Sequence, residues 1–407
     1  MRPNYQKIAK LYESHGAATA GNILRHALGY DGEGRRLKER QYQPADFDLG
    51  LMFSEIFGWN EFQACRGGGR LVGEVLEAAG ATSSASFASI TGQIVYSAIM
   101  DAYQKEEYVF SRLIPEKQSQ FIDQEKVAGI TQLGDQALVV PEGQDYPLAG
   151  VGQTWISWPE AVKRGLRVAL TREAIFRDRT GVLLDRCGAV GEWLGVNREK
   201  RAIDCVIDQG PNAVNQPTGH RYRWRDQYIN TYGDNSGTHS WDNLQATNDL
   251  TGGDWTKVDT AEQLLNQMVD PDTGEPIMSD YNALIVTKQL EKTALRILNA
   301  TEIRVATPGF ATTGAPTQTQ VANPYAGKFE VISTRLLRMR LTTPTDWFFG
   351  NPTKAFLYKQ IFPMQVIEAP ANSIDEFKTD IVRQWRADEF GAYATVEPRY
   401  MIRCTVA

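Results

Sequence analysis

Apolar residues between positions 171 and 208 recur at the spacing of one helix face. Intervals of four, three and four residues separate Leu183, Cys187, Val190 and Leu194. Since a helix completes a turn in about 3.6 residues, these four side chains share a face. No proline interrupts the stretch. The pattern therefore predicts one long bent helix over residues 171–208, here called the spine helix, with Thr171 as its N-cap.

Three glycines within this stretch allow a second interpretation. Each glycine costs a helix about 1 kcal/mol relative to alanine, so two shorter helices could instead meet near Gly188, Gly191 or Gly195. In a continuous helix, the same glycines would mark a bend or the close approach of a neighbouring backbone.

The first part of the chain shows weaker patterns. Residues 1–85 carry short helical patterns joined by glycines and are too weakly apolar to predict a strong core of their own, so we expect an arm there. Residues 86–108 predict an amphipathic helix with Ser86 as its cap. Its apolar positions are Phe87, Ile90, Ile94 and Ala98.

Strand patterns follow over residues 121–170, which we call the flap. A short apolar run at 137–140, the turn-forming sequence PEGQDYP at 141–147 and a second run at 151–158 predict a long β-hairpin. An isolated hairpin is only marginally stable in water. The flap therefore needs a partner surface, which is either its own domain or another subunit.

The rest of the chain predicts a second domain and a returning strand. Residues 209–259 are rich in Gly, Asn, Asp, Trp and Tyr, which is typical of a loop-rich insertion. Strand and helix patterns then alternate, which predicts a mixed α+β domain. Alternation at the C-terminus predicts a strand with one face buried against the spine helix. The apolar positions of that strand are Tyr400, Ile402, Cys404 and Val406.

Composition narrows the class of protein. The chain has 407 residues, enough for two or three domains, and a net charge of −6. This mild acidity argues against a nucleic-acid reader that depends on neutralising phosphates. No run approaches the ~20 apolar residues of a membrane span, and the N-terminal residues lack the apolar segment of a signal peptide.

Candidate chemistry is sparse. The four histidines lack the spacing of metal ligands, and motifs for hydrolytic nucleophiles, zinc, phosphate loops and dinucleotides do not occur. The sequence thus predicts no catalytic, cofactor-binding or metal-binding residues. The cysteines form no CxxC pair and are expected to be buried free thiols of a reducing compartment. They are Cys65, Cys187, Cys205 and Cys404.

Two other functions have some support from aromatic residues. Residues 221–225 (RYRWR) mix charge and stacking surface as single-stranded nucleic acid requires, although an exposed strand with one packed face is favoured. Tryptophan-rich loops suggest a hydrolase acting on polysaccharide, but such loops are also common at interfaces. The residues concerned are Trp155, Trp158, Trp224, Trp241 and Trp255.

The order of the predicted elements resembles the major capsid protein of tailed bacteriophages, which has the Hong-Kong-type fold. That order is arm, helix, hairpin flap, spine helix, inserted α+β domain and returning C-terminal sheet. Local phrases over residues 86–407 are similar as well. They are 87–93 (FASITGQ), 142–147 (EGQDYP), 163–165 (KRG) before 171–175 (TREAI), 270–276 (DPDTGEP), 380–384 (DIVRQ) and 398–400 (PRY).

The resemblance implies a division of labour along the chain. Residues 86–120, the spine helix at 171–208 and the C-terminal sheet at 372–407 would form a peripheral domain. Residues 209–371 would form the axial domain, and residues 121–170 an extended loop over a neighbouring subunit. Residues 1–85 would be the N-terminal arm. Implied intersubunit contacts are Glu142, Gln144, Asp145, Tyr146, Arg172 and Arg179.

The implied function is structural. Pentamers and hexamers of the chain would assemble in the host cytoplasm into an icosahedral virion head that encloses double-stranded DNA without reading its sequence. Scaffolding, portal and decoration proteins are possible partners, and neither a membrane nor a cofactor is expected. The alternative with the same fold is an encapsulin-like nanocompartment. The arm and the insertion at 209–259 count against it, because those chains are usually shorter.

Overall fold

The computed structural model contains both helices and sheets, which confirms the α+β class. It describes residues 3–32, 34–66, 75, 81–128, 139–145, 155–171, 180–208, 222–224, 227–233, 241–270, 274–307, 317–369 and 381–406. The chain divides into two compact units. The first comprises Met1–Tyr108, Lys163–Asn197 and Phe362–Phe390, and the second comprises Val109–Val162, Arg198–Ile361 and Gly391–Ala407.

The helices differ widely in length, and the spine helix α7 is the longest described. The helices are α1 (Tyr5–His15), α2 (Ala17–Ala27), α3 (Leu49–Phe57), α4 (Trp59–Arg66), α5 (Ala81–Tyr103), α6 (Phe110–Leu113), α7 (Thr180–Ile207), α8 (Thr256–Asn266), α9 (Glu291–Asn299), α10 (Arg335–Arg340) and α11 (Pro352–Ala355), with 3-10 turns at Pro44–Asp46 and Pro398–Tyr400.

The strands form four sheets in the described part of the chain, with orders β1-β13-β14-β4, β10-β9, β11-β8-β12-β15-β7 and β2-β3-β5-β6. They are β1 (Glu116–Gln118), β2 (Glu125–Ala128), β3 (Trp155–Trp158), β4 (Val162–Thr171), β5 (Tyr222–Trp224), β6 (Gln227–Ile229), β7 (Leu244–Gln245), β8 (Ala283–Thr287), β9 (Glu302–Thr307), β10 (Thr317–Ala322), β11 (Glu330–Thr334), β12 (Trp347–Gly350), β13 (Phe356–Glu368), β14 (Ile381–Thr395) and β15 (Met401–Cys404).

Helices α1 to α5 of the first unit pack around one apolar core. The ring of Phe53 on α3 lies within 6.3 Å of three other rings, Phe57, Phe62 and Phe87. The side chain of Asp48 caps α3 by accepting from two backbone amides of its first turn. This packing differs from the weakly apolar arm expected over residues 1–85. The core joins Phe53, Phe57 and Phe62 with the distant Phe87 of α5, and no local periodicity links that residue to the other three.

The predicted N-cap of α5 is wrong, whereas the residues that would test Thr171 as a cap, 172–179, lie outside the described residues. Helix α5 begins at Ala81, so Ser86 lies inside the helix and cannot cap it. Thr171 is the last residue of β4, and the described part of the spine helix begins at Thr180. Ser86 has good capping chemistry but lies inside the helix, since capping preference is weaker than tertiary packing.

The glycines of the spine helix confirm a close backbone approach. A Cβ added at Gly191 would lie 2.1 Å from the carbonyl oxygen of Ile99 on α5. One added at Gly195 would lie 2.9 Å from the Tyr103 carbonyl oxygen and 2.5 Å from the Tyr108 ring. Only glycine fits at these two positions, because any side chain would separate the helices. Gly188 has no neighbour within 4 Å among the described residues.

The predicted apolar face of the spine helix lies partly in the core of the first unit. Cys187 and Leu194 are buried there, and Val190 packs against the core while half-buried. The side chain of Leu183 lies outside the described residues. Burial raises the pKa of the Cys187 thiol to about 12, so this thiol stays protonated at neutral pH.

The second unit is built on the five-stranded sheet. Strand β8 pairs in parallel with β11 and antiparallel with β12, and all five of its residues are buried. A strand buried on both faces is expected where helices cover a sheet. Residues 202–207 of the spine helix, α8 and α9 contribute to the same core.

The C-terminal strand differs from its prediction in burial. Strand β15 pairs antiparallel with β12 and parallel with β7, so it belongs to the five-stranded sheet of the second unit. Met401, Ile402 and Cys404 are all buried, so the prediction of a single buried face is wrong. As an interior strand of a covered sheet, β15 is packed on both faces, and only Arg403 is half-buried.

Candidate assembly surface

The flap contains the predicted returning strand as β3 (Trp155–Trp158), but its described partner is β2 (Glu125–Ala128) rather than the predicted run at 137–140, part of which lies outside the described residues. Strand β2 pairs antiparallel with β3, with Glu125 opposite Trp158 and Ala128 opposite Trp155. Strand β3 also pairs with β5 at Ile156 and Trp224. The hairpin is therefore part of a four-stranded sheet, which supplies the support that two strands alone would lack.

The turn of the flap follows from its sequence. The amide of Gln144 donates to the Pro141 carbonyl at 3.2 Å, and Gly143 has a φ of 82°. A positive φ at the third position of a β-turn favours glycine, because other residues are strained there. The predicted turn is thus confirmed at residues 141–144.

Lysines cover the two tryptophans of the hairpin. The Nζ atom of Lys126 lies 4.9 Å from the Trp155 ring centre, and that of Lys117 lies 4.9 Å from the Trp158 ring centre. Cations at this distance are attracted to the ring face. Trp158 is buried and Trp155 is exposed, and Ile156 and Ser157 between them are buried as well, so β3 is exposed only at Trp155.

Large apolar side chains are exposed along the flap. Phe121 and Ile122, which precede β2, are 65% and 48% exposed, and Val139 near the turn is 95% exposed. Single exposed apolar residues are ordinary on a protein surface. Three of them on one hairpin give it the character of a contact surface for another protein.

Three of the six polar contact residues predicted from the sequence lie in the described part of the flap. Glu142, Gln144 and Asp145 are exposed next to the turn. Tyr146, Arg172 and Arg179 lie outside the described residues. The three described side chains add polar and acidic groups beside Val139, as in the mixed rims of protein interfaces.

A buried carboxylate of the spine helix holds the chain that leads into the flap. Glu199 is completely buried and accepts hydrogen bonds from the amides of Val109, Phe110 and Ser111, at 2.8 to 3.0 Å. Three amide donors compensate for removing this charge from water. The sequence analysis missed Glu199, since it stands in the polar run NREKR and shows no sign of burial.

The preceding residue makes a second anchor. Arg198 forms an ion pair with Glu116 of β1, and its guanidinium lies 4.7 Å from the Tyr358 ring centre. Its Nε atom also donates to the hydroxyl of Tyr393 at 3.4 Å, and burial is the main reason that the pKa of this tyrosine is raised. Glu199 and Arg198 together fix residues 109–116 before the flap begins.

The described residues offer little support for an enzyme. No group of three or more His, Cys, Asp or Glu side chains among them is arranged to hold a metal ion. Cys187, Cys205 and Cys404 are buried thiols outside any disulfide, as expected, and burial raises the pKa of the Cys404 thiol. The side chain of Cys65 lies outside the described residues. Within the described residues, no helix has the length and apolar character of a membrane span.

Among the described tryptophans that suggested a polysaccharide hydrolase, only Trp155 is exposed. Trp158 and Trp241 are buried in the core of the second unit. Trp255 is half-buried, with its ring centre 6.4 Å from that of Tyr325. The side chain of Trp224 lies outside the described residues. Buried rings cannot stack on a sugar chain from solvent, so the geometry disfavours that function.

Several solved structures are similar to this chain at low identity. The capsid of cyanophage P-SCSP1u has 10% identity and a TM-score of 0.43, and the likeness covers 74% of this chain and 88% of that one. Microbacterium phage Oxtober96 has 14% identity and a TM-score of 0.41, covering 74% and 91%. A virus-like particle from Pyrococcus furiosus has 10% identity and a TM-score of 0.39, covering 76% and 98%. Such low scores do not by themselves establish a shared fold.

The family comparison is decisive. No curated protein matches the sequence. The family model described as phage capsid protein matches residues 159–404, which is more than half of the chain and includes β4, the spine helix and the complete five-stranded sheet. This match confirms the resemblance that the sequence suggested. The chain belongs to the phage capsid protein family.

Proposed function

We propose that this capsid protein assembles as pentamers and hexamers into the icosahedral head of a tailed bacteriophage. As a member of its family it is a structural protein of the virion and acts in many copies. The observation that carries the finer proposal is the set of exposed apolar residues on the flap. A shell repeats one contact many times, so even a modest surface of this kind is sufficient in each copy.

In this proposal the flap is the main contact between copies. Residues 121–170 would lie over a neighbouring copy and bury Phe121, Ile122 and Val139 against it. The exposed residues Glu142, Gln144 and Asp145, together with Tyr146, Arg172 and Arg179, would supply polar contacts at its edge. Residues 209–371 would meet their counterparts around each capsomer centre.

The proposed contents of the shell are double-stranded DNA. A net charge of −6 lets the inner surface hold DNA without fixing it in one register. Assembly would take place in the host cytoplasm, with scaffolding, portal and decoration proteins as candidate partners. The role is structural, and we propose no catalytic step.

Electron microscopy of the purified protein tests this proposal. The expected result is closed icosahedral shells of megadalton mass, with five- and six-fold clusters of subunits in averaged images. A protein that stays monomeric at every concentration and salt condition would contradict it. Shells isolated from infected cells should contain DNA, whereas shells filled with a protein cargo would favour a nanocompartment.

A further inference from the structure

One lysine of the second unit is completely buried. Lys359 lies on β13 with 0% of its side chain exposed. Its Nζ atom donates to the carbonyl oxygen of Asp123 at 2.8 Å and lies 3.6 Å from the carboxylate of Glu125. A buried ammonium is costly unless its partners are held in place. Its position next to the flap therefore requires an explanation.

The partners of Lys359 belong to the segment from which the flap starts. Residues 119–124, here called the flap root, join β1 to β2. Strand β1 runs parallel to β13, with Lys117 opposite Lys359, and the amide of Ser119 extends this ladder by donating to the Gln360 carbonyl at 2.9 Å. Beyond Ser119 the chain leaves β13, so Lys359 stands where the two separate.

Further hydrogen bonds close the flap root around this ammonium. The hydroxyl of Ser119 donates to the Glu125 carboxylate at 2.7 Å, and the amide of Ala161 donates to the Ile122 carbonyl at 2.9 Å. Glu125 is the first residue of β2 and stands opposite Trp158 of β3. The contacts of Lys359 and Ser119 with Glu125 therefore fix the first residue pair of the hairpin. The direction of this pair sets the direction of the two strands that follow.

We propose that Lys359 is a positioning residue that fixes the direction in which the flap leaves β13, so that the flap can reach a second copy of the chain. The inference rests on the proposed function of the flap. Lys359 does not touch the second copy. It acts through Asp123 and Glu125, which set the start of β2. Phe121 and Ile122 lie within the same flap root, so the contacts of Lys359 also determine the direction in which these exposed residues point.

Replacing the buried charge tests the proposal. Lys359→Met keeps a side chain of similar length and removes the donor. Amide hydrogen exchange in β2 and β3 should become at least about tenfold faster, because the flap root loses its contacts with Lys359. Exchange in β8 should stay unchanged, because β8 makes none of these contacts. Shell assembly should fall together with the rise in exchange. Lys354→Met is the matched control for exchange, since its ion pair with Asp280 lies at the surface, and exchange in β2 and β3 should stay at its wild-type value.

Two further variants separate positioning from stability. Ser119→Ala removes one hydrogen bond to Glu125 without leaving a buried charge, and about a threefold rise in flap exchange is expected. It also provides the test if Lys359→Met does not fold. Lys359→Met with Glu125→Leu removes both charges, which should restore thermal stability but not the slow exchange of β2 or the assembly.

The outcomes distinguish the two proposals. Wild-type exchange in β2 and β3 of Lys359→Met and Ser119→Ala would overturn the positioning role. Faster exchange with wild-type assembly would show that the flap is not a contact between copies. This result would overturn the proposed function of the flap and, with it, the inference that rests on it. Recovery of both exchange and assembly in the double variant would mean that Lys359→Met had lost stability rather than the position of the flap. This result would also overturn the positioning role.

Discussion

The helix crossing of the first unit and the flap of the second unit use their apolar residues in opposite ways. At the crossing, Gly191 and Gly195 bring the spine helix against α5, and Leu194 between them is buried. On the flap, Phe121 and Val139 are largely exposed. The crossing is complete within one chain, whereas the flap leaves large apolar side chains exposed, and the proposed contact with a second copy would cover them.

This difference predicts which residues stabilise the folded subunit and which would stabilise the contacts between copies. Substitutions at the crossing should lower the free energy of unfolding of the single subunit. Changes to the flap should leave that quantity nearly unchanged and act on assembly instead. Neighbouring residues on the spine helix provide matched pairs for testing the first statement.

The largest expected effect on folding comes from Leu194. Leu194→Ala removes a buried side chain and should lower the free energy of unfolding by about 2–5 kcal/mol. Trp193→Ala changes the adjacent residue, which is 64% exposed, and should cost no more than about 0.5 kcal/mol. Urea unfolding of both variants measures this difference. Equal losses would mean that the crossing is not the stable region of the comparison.

A smaller effect is expected at the glycines. Gly191→Ala introduces a Cβ close to the Ile99 carbonyl, and this strain should cost about 1–3 kcal/mol despite the better helix propensity of alanine. Gly188→Ala makes the same change where the space is open, and it should stabilise the subunit by up to about 1 kcal/mol. Thermal unfolding compares the two. A gain at both positions would contradict the close helix contact.

The smallest effect concerns pH and Lys359. Burial is the main cause that lowers the pKa of Lys359 below its ordinary value of 10.5, and the charge of Glu125 opposes this shift. Between the lowered pKa and 10.5 the unfolded chain binds more protons than the folded one, so the contribution of Lys359 to stability rises with pH. The stability of the wild type relative to Lys359→Met should therefore increase as the pH rises through this window. A decrease would contradict the assigned burial.

The elements with a local signal could be predicted from the sequence. The spacing of Cys187, Val190 and Leu194 predicted a helix that the structure describes over Thr180–Ile207. The residues of PEGQDYP predicted the turn, and the run at 151–158 predicted the returning strand of the hairpin. Each of these signals is local, because it involves residues that are only a few positions apart in the sequence.

The rest depends on residues that are distant in the sequence. Lys359 and Asp123 meet only after β1 pairs with β13, and nothing near either residue reveals that a lysine is buried. The burial of β15 on both faces was missed for a similar reason, since alternation does not show that a second layer covers the polar face. The core of the N-terminal helices likewise forms from scattered aromatic residues such as Phe53 and Phe87.

Deleting residues 142–146 tests the central claim most directly, because it changes the flap and leaves the helix crossing intact. The described residues of this segment are exposed, so the melting temperature of the subunit should stay within about 2 °C of wild type. Light scattering and electron microscopy should show that shells no longer form. Normal shells from this variant, or a subunit that unfolds, would contradict the account.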